Sequence, residues 1–386
     1  MGVPVPMNMP PPNSAVRPFS PLRAAAAAAL ACWAVGTLTV LTRSHFYGFP
    51  GIFTEAFRHL PFFDMWMRWD ARWYERIATR GYEFLGAEQS SVAFFPLYPL
   101  LMRAVSATGL PPLLAGIALT LPCGLAAVVL FHRWARTVQP EPTARLATWV
   151  LVFWPFAWYL YGAIYSDALY LLLAVSAFLC LERGRPGLAT LLGALATATR
   201  PLAPALVLGL LARQLELRLR AGERLRPVDF LPLLSGAGLG AYMLYLWARF
   251  GTPIAFIEAQ AGWGQPPGLR SWLKITFFTE GFWRTVGRFG LPNAILALLF
   301  LALCLPMRRR LGWGYTLYSA LAMGIPFISS WNFIGLGRYA LAVFPCFLML
   351  ACVLEARPRA RRAWFVASAS LLAFLLSRFS VGRYVA

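Results

Sequence analysis

The chain has 386 residues, 59% of them hydrophobic and only 13% charged, against roughly 45–50% and 25% in soluble globular proteins. That excess excludes a water-soluble enzyme, a secreted disulfide scaffold and a disordered chain, and it predicts an all-α, polytopic transmembrane protein. The net charge of +20 lies in short patches between apolar runs rather than on one polar face, which excludes nucleic acid as a partner and leaves membrane lipids.

Every basic residue except Lys274 is Arg, and Ala is abundant. That bias is the mark of a GC-rich genome and points to the bacterial cytoplasmic membrane, or to the endoplasmic reticulum membrane in a eukaryote. Cys32, Cys123, Cys180, Cys304, Cys346 and Cys352 all fall inside apolar runs without paired spacing, as small core residues do. His45, His59 and His132 are too scattered for a zinc set. No cofactor is expected, and the sequence does not decide whether a divalent metal takes part.

In chain order, residues 1–21 are Pro-rich without an apolar stretch and predict a disordered cytoplasmic tail. The run 22–41 is long enough to span the bilayer and ends in nothing like a cleavage site. A polar outer loop follows over 43–92 and holds six acids, Glu55, Asp64, Asp70, Glu75, Glu83 and Glu88. Apolar runs then recur up to 363–377, so 22–378 is expected to be a single transmembrane domain, with a short C-terminal tail over 379–386.

Counted as one crossing each, these runs scramble the charge asymmetry of the loops. Arg183 and Arg185 precede the run 187–212, and Arg213, Arg218, Arg220, Arg224 and Arg226 follow it. Both flanks belong inside by the positive-inside rule. Arg200-Pro201 interrupts the run, and two half-helices that enter and return satisfy both flanks. The run 93–107, broken by Pro96 and Pro99, is expected to be a second partial insertion.

Within the outer loop, residues 66–78 placed on a helix at roughly 100° per residue bring Trp66, Trp69, Trp73 and Ile77 onto one face. Arg68, Arg72 and Glu75 point away. This predicts an amphipathic helix at the membrane interface, where Trp is favoured. Asp70 falls beside the apolar stripe, a costly place for a carboxylate unless it is paired or used. Arg76 or Arg80 is one candidate partner; the alternative is a carboxylate facing a cavity, able to take a proton from an acceptor hydroxyl.

The segments WDARWYERIATRGY (residues 69–82) and AFFPLYPLL (93–101) together closely resemble the PIG-V family of mannosyltransferases, members of the GT-C class of membrane glycosyltransferases. YGAIYSDALYLLL (161–173), ATRPLAPALVL (198–208) and GRYALAVFP (337–345) extend the resemblance. It implies a GT-C-like multispan fold with broken helices and a catalytic Asp in the first outer loop, the position of Trp69-Asp70. It also implies a polyprenyl-phosphate-linked sugar donor and a glycan, lipid or protein acceptor.

Around that centre, Asp167 after Ser166 either caps the helix expected from Ala168 or helps hold the sugar or an arginine. Arg200 stands as a donor-phosphate ligand or as the neutralising partner of Asp167 or Asp70. Arg338, before Tyr339, is a second phosphate candidate, with snorkelling to the interface as its ordinary role. Lys274 and Glu280 lie in an aromatic outer loop over 250–287 and are expected to be solvated, with contact to the acceptor as the alternative. The expected function is inverting sugar transfer to an acceptor hydroxyl at the outer face, with a transporter or flippase of lipid-linked sugars as the rival. A flippase would need charges along a continuous midplane path, whereas the acids here cluster in the outer loop.

Overall fold

Among the described residues, which in this computed structural model are 19–46, 60–265, 268–281 and 290–385, the chain is helical and contains no strand. Thirteen helices carry the fold: α1 Pro21–Phe46, α2 Ala71–Arg80, α3 Leu97–Ser106, α4 Pro112–Val138, α5 Glu141–Val152, α6 Asp167–Glu182, α7 Pro186–Thr197, α8 Ala203–Arg220, α9 Ala237–Phe250, α10 Gly290–Arg310, α11 Trp313–Ser329, α12 Pro345–Glu355 and α13 Pro358–Ser380. Several of them begin on proline (α4, α7, α12 and α13 among them), where a missing N–H costs nothing. A ten-residue 3-10 helix, Pro227–Gly236, leads into α9, and short turns lie between other helices.

Among the described residues, five helices are long and apolar enough to cross a bilayer: Pro21–Thr42, Pro112–Val138, Pro227–Phe250, Gly290–Arg310 and Pro358–Ser380. A sixth candidate is the pair Leu336–Ala342 and Phe344–Glu355, bent by 94° at its break. The protein is therefore a multi-pass membrane protein. Helices α5 and α6, with 12 and 16 residues, reach only about 18 and 24 Å at 1.5 Å per residue. They need not face lipid, because every residue from 154 to 171 is buried. These apolar runs form a protein core around which the long helices pack.

The Arg200-Pro201 interruption is a reversal of the chain. A Cβ on Gly193 of α7 would lie 2.9 Å from Leu210 of α8, although seventeen residues of straight helix would part them by about 25 Å. The two half-helices thus fold back on each other, α8 packing on α11 and α7 on α6. The second proline-broken run becomes a ten-residue helix, α3. Pro99 occupies its first turn, where a ring is tolerated. The Leu97 N–H at the start of α3 donates to the Ala198 carbonyl at 2.9 Å, so both interruptions meet.

Two features position the loop before α2. Arg68, 1% exposed, pairs with Asp64 at 2.5 Å and donates to the Ser380 carbonyl at 3.0 and 3.1 Å. Trp66 is fully buried against Trp33 and over Gly162, where a Cβ would come within 2.7 Å of the indole. Beyond α13 the chain stays in the fold: Val381 and Val385 are buried.

Candidate functional site

The 66–78 stretch departs from the single amphipathic helix that its periodicity predicts. Residues 65–70 form turns and α2 begins only at Ala71. The break falls at Trp69, which adopts a φ of +55°, a left-handed conformation outside any right-handed helix and costing about 1–2 kcal/mol for a residue with a Cβ. The buried face of α2 is Ala71, Tyr74, Ile77 and Ala78, not the Trp stripe. Trp66 belongs to the core rather than to an interface belt, and Arg68 points inward. Trp69 sets its indole edge-on to the ring of Tyr384, 4.9 Å away.

Asp70 takes the N-cap position of α2 without making a cap bond. An Asp there ordinarily accepts an N–H of the first turn, worth about 1 kcal/mol; this carboxylate instead accepts from Arg338 Nη1 at 3.1 Å. Neither Arg76 nor Arg80 pairs with Asp70 among the described residues, and Arg76 is held by Glu83. The Asp70 backbone N–H donates to the Tyr165 hydroxyl at 3.2 Å, and that hydroxyl donates to the Arg68 carbonyl at 3.4 Å. The strained Trp69 is thus clamped on both sides.

The Asp70 side chain keeps 25% of its surface open. The surrounding protein mass pushes its carboxyl above the ordinary carboxylate range; the Arg338 guanidinium opposes that push without cancelling it.

Arg338 is buried on the single turn Leu336–Tyr339. Trp154 Nε1 donates to the Gly337 carbonyl at 2.9 Å, and Asn293 accepts the Gly337 N–H at 2.7 Å. Only glycine fits between them, since a Cβ at 337 would sit 2.1 Å from Phe156. The guanidinium lies 5.4, 5.0 and 5.0 Å from the rings of Tyr159, Tyr165 and Tyr339, the range of cation–π attraction. Its Nε is buried and has no hydrogen-bond partner among the described residues.

Arg200 pairs with Asp167 and stands 5.3 Å over the other side of the site at Tyr339. Of the roles open to it in the sequence, neutralising Asp167 is the one that the geometry realises. Helix α6 begins at Asp167 rather than Ala168, and Ser166 makes no cap bond. Its hydroxyl accepts instead from Tyr74 at 3.1 Å. Both acids therefore open helices, α2 and α6, and turn toward arginines.

The fold thus brings Trp69, Asp70, Asp167, Arg200, Arg338 and Tyr339 into one group. It adds Tyr74, Tyr159, Tyr165 and Tyr384, which periodicity did not single out; the crowding of Tyr in the residues before Asp167 was the only signal. Lys274 stands apart and is not solvated as expected. It is 3% exposed, bonds to the Ser330 carbonyl, and lies 5.2 and 5.4 Å from the rings of Phe327 and Phe333. The Glu280 side chain lies outside the described residues. Among those residues, no three His, Cys, Asp or Glu side chains gather as a metal set.

A family of proteins described as Mannosyltransferase (PIG-V) matches residues 39–216 of the chain. That segment, a little under half of the chain, is similar to the PIG-V mannosyltransferases. The match takes in Trp69, Asp70, Asp167 and Arg200 and ends before Arg338 and Tyr339. No curated protein matches.

Among solved structures, the oligosaccharyltransferase of Archaeoglobus fulgidus, in complex with Zn and sulfate, is similar with a TM-score of 0.50 and 13% identity, over 92% of this chain and 53% of that one. The same archaeal enzyme, AglB, with an inhibitory peptide and a dolichol-phosphate, gives a TM-score of 0.44 at 13% identity, over 92% and 56%. The present chain spans about half the length of that protein, and the first likeness shows a shared fold.

Proposed function

We propose that this protein transfers a sugar, mannose by its family, from a polyprenyl-phosphate-linked donor to an acceptor hydroxyl at the outer membrane face. A bound dolichol-phosphate and a peptide in the archaeal neighbour's complex support a lipid-linked donor and a separate acceptor in this fold. The observation that carries the reading is the Asp70–Arg338 pair, an accessible carboxylate and a buried guanidinium 3.1 Å apart. Asp70 takes the proton of the attacking hydroxyl as general base. Arg338 meets the departing phosphate, to which a charge-assisted hydrogen bond is strong.

One partly open carboxylate in the described group, Asp70, favours direct displacement with inversion. Asp167, tied to Arg200, is committed elsewhere and is poorly placed to act as a second nucleophile. The lipid phosphate is the leaving group, so no nucleotide-binding loop is required. Trp69 and Tyr384 form the wall beside the acceptor.

The purified protein is to be incubated with polyprenyl-phosphate [³H]mannose and candidate glycan, lipid and peptide acceptors, with nucleotide-mannose in parallel. Label should pass to an acceptor from the lipid donor and not from the nucleotide, with the anomeric configuration reversed by NMR. Transfer only from the nucleotide sugar, or retention, would overturn the reading.

A further inference from the structure

The guanidinium of Arg338 favours the charged form of Asp70 and so makes it a weaker base than burial alone would. Asp70 therefore gains proton affinity as Arg338 lets go of it. The other charge that changes during the transfer is on the phosphate. Arg338 is built to change partners: three tyrosine rings hold its cation at 5.0–5.4 Å without supplying a counter-charge. Its buried Nε, with no partner among the described residues, leaves a donor to spare. Arg200 lacks that freedom, since its guanidinium is engaged by the nearly buried Asp167.

We infer that Arg338 is handed from Asp70 to the leaving phosphate during the reaction, coupling proton abstraction to departure of the lipid. The inference rests on the donor reading above. The acceptor O–H proton passes to Asp70, whose charge goes from −1 to 0. The acceptor oxygen bonds to the anomeric carbon. The bond from that carbon to the phosphate oxygen breaks, its electron pair going to the phosphate, whose charge goes from −1 to −2. Total charge is unchanged, and the negative charge that Arg338 faces moves from the carboxylate to the phosphate.

It follows that Asp70 and the product phosphate compete for one cation. Removing the carboxylate should therefore tighten the binding of polyprenyl phosphate while abolishing transfer. The experiment measures Kd for radiolabelled polyprenyl phosphate on wild type, Asp70→Asn, Arg338→Gln and the double variant, each in detergent with its melting temperature recorded. Asp70→Asn should bind about tenfold tighter or more, the scale of one hydrogen bond to a charged group, and Asp70→Ala, a second variant, should do the same. Arg338→Gln should bind more weakly, and adding Asp70→Asn to it should bring no gain.

An unchanged Kd in both Asp70 variants would overturn the handover while leaving the donor reading intact. A gain of the same size in the Arg338→Gln background would also overturn it, since that gain is plain relief of like-charge repulsion. Wild type that fails to bind polyprenyl phosphate would defeat the donor reading itself.

Discussion

Helix α6 carries an acid at each end, Asp167 and Glu182, about 22 Å apart at 1.5 Å per residue, and each belongs to a buried cluster of acids and arginines. At the Glu182 end no buried side-chain nitrogen or oxygen of Glu182, Arg213 or Glu216 lacks a hydrogen-bond partner. Arg213 donates to Glu182 at 2.6 and 3.0 Å and to Glu216 at 2.9 Å. The Tyr315 hydroxyl, itself bonded by Trp134, donates to Glu182. Glu216 also accepts from Arg220 and from the backbone N–H groups of Trp313 and Gly314, capping α11. At the Asp167 end the carboxylate of Asp70 is partly open, two helix caps are forgone, and Arg338 Nε lacks a partner among the described residues. The same residue types are differently satisfied: one network ties helices together, and the other keeps unsatisfied groups where the proposed function would seat its substrate.

The sharpest test of that contrast is Asp70→Asn. Turnover should fall by about 10²–10⁴-fold, the contribution of a positioned general base, while the melting temperature hardly moves because the tyrosine rings still hold Arg338. In the wild type the acid limb of kcat/KM should lie above the ordinary carboxylate value of about 4, since burial raises the Asp70 carboxyl and the base works only once that proton has left. A large loss of stability with activity per folded molecule intact would mean that the two clusters are alike.

Arg213→Met is the mirror experiment. It leaves Glu182 and Glu216 buried without their shared cation, so unfolding in detergent should show a loss of about 3–5 kcal/mol, with turnover per folded molecule unchanged. A variant as stable as wild type would show that the Glu182 network is dispensable to the fold.

Lys274 offers a milder, intermediate case, a buried cation bonded to a backbone carbonyl rather than to a carboxylate. Burial lowers its amine from 10.5 to about 8. Between those values the unfolded chain holds a proton that the folded chain has released, so stability should rise with pH from about 8 to about 10.5. Below that window both states are charged and the slope vanishes. Lys274→Met should abolish the slope, and thermal melts across the pH range read it directly. A slope that survives the substitution assigns the titration to another group.

The sequence by itself determined the broad architecture. Apolar excess and the Arg200-Pro201 break are local properties, and they survive in the structure as buried or membrane-length helices and as a reversal of the chain. It also exposed Asp70 as an acid in an apolar setting. Only the tertiary structure decided its partner, because Arg338 lies 268 residues away and hydropathy carries no record of which distant charges meet. The failed 66–78 helix has the same origin. A residue's angle on an ideal helix is computed from spacing alone, whereas the turn at Trp69 is imposed by Trp66 filling the space over Gly162, by Arg68 reaching Ser380 and by the Tyr165 hydroxyl bracketing the strained residue.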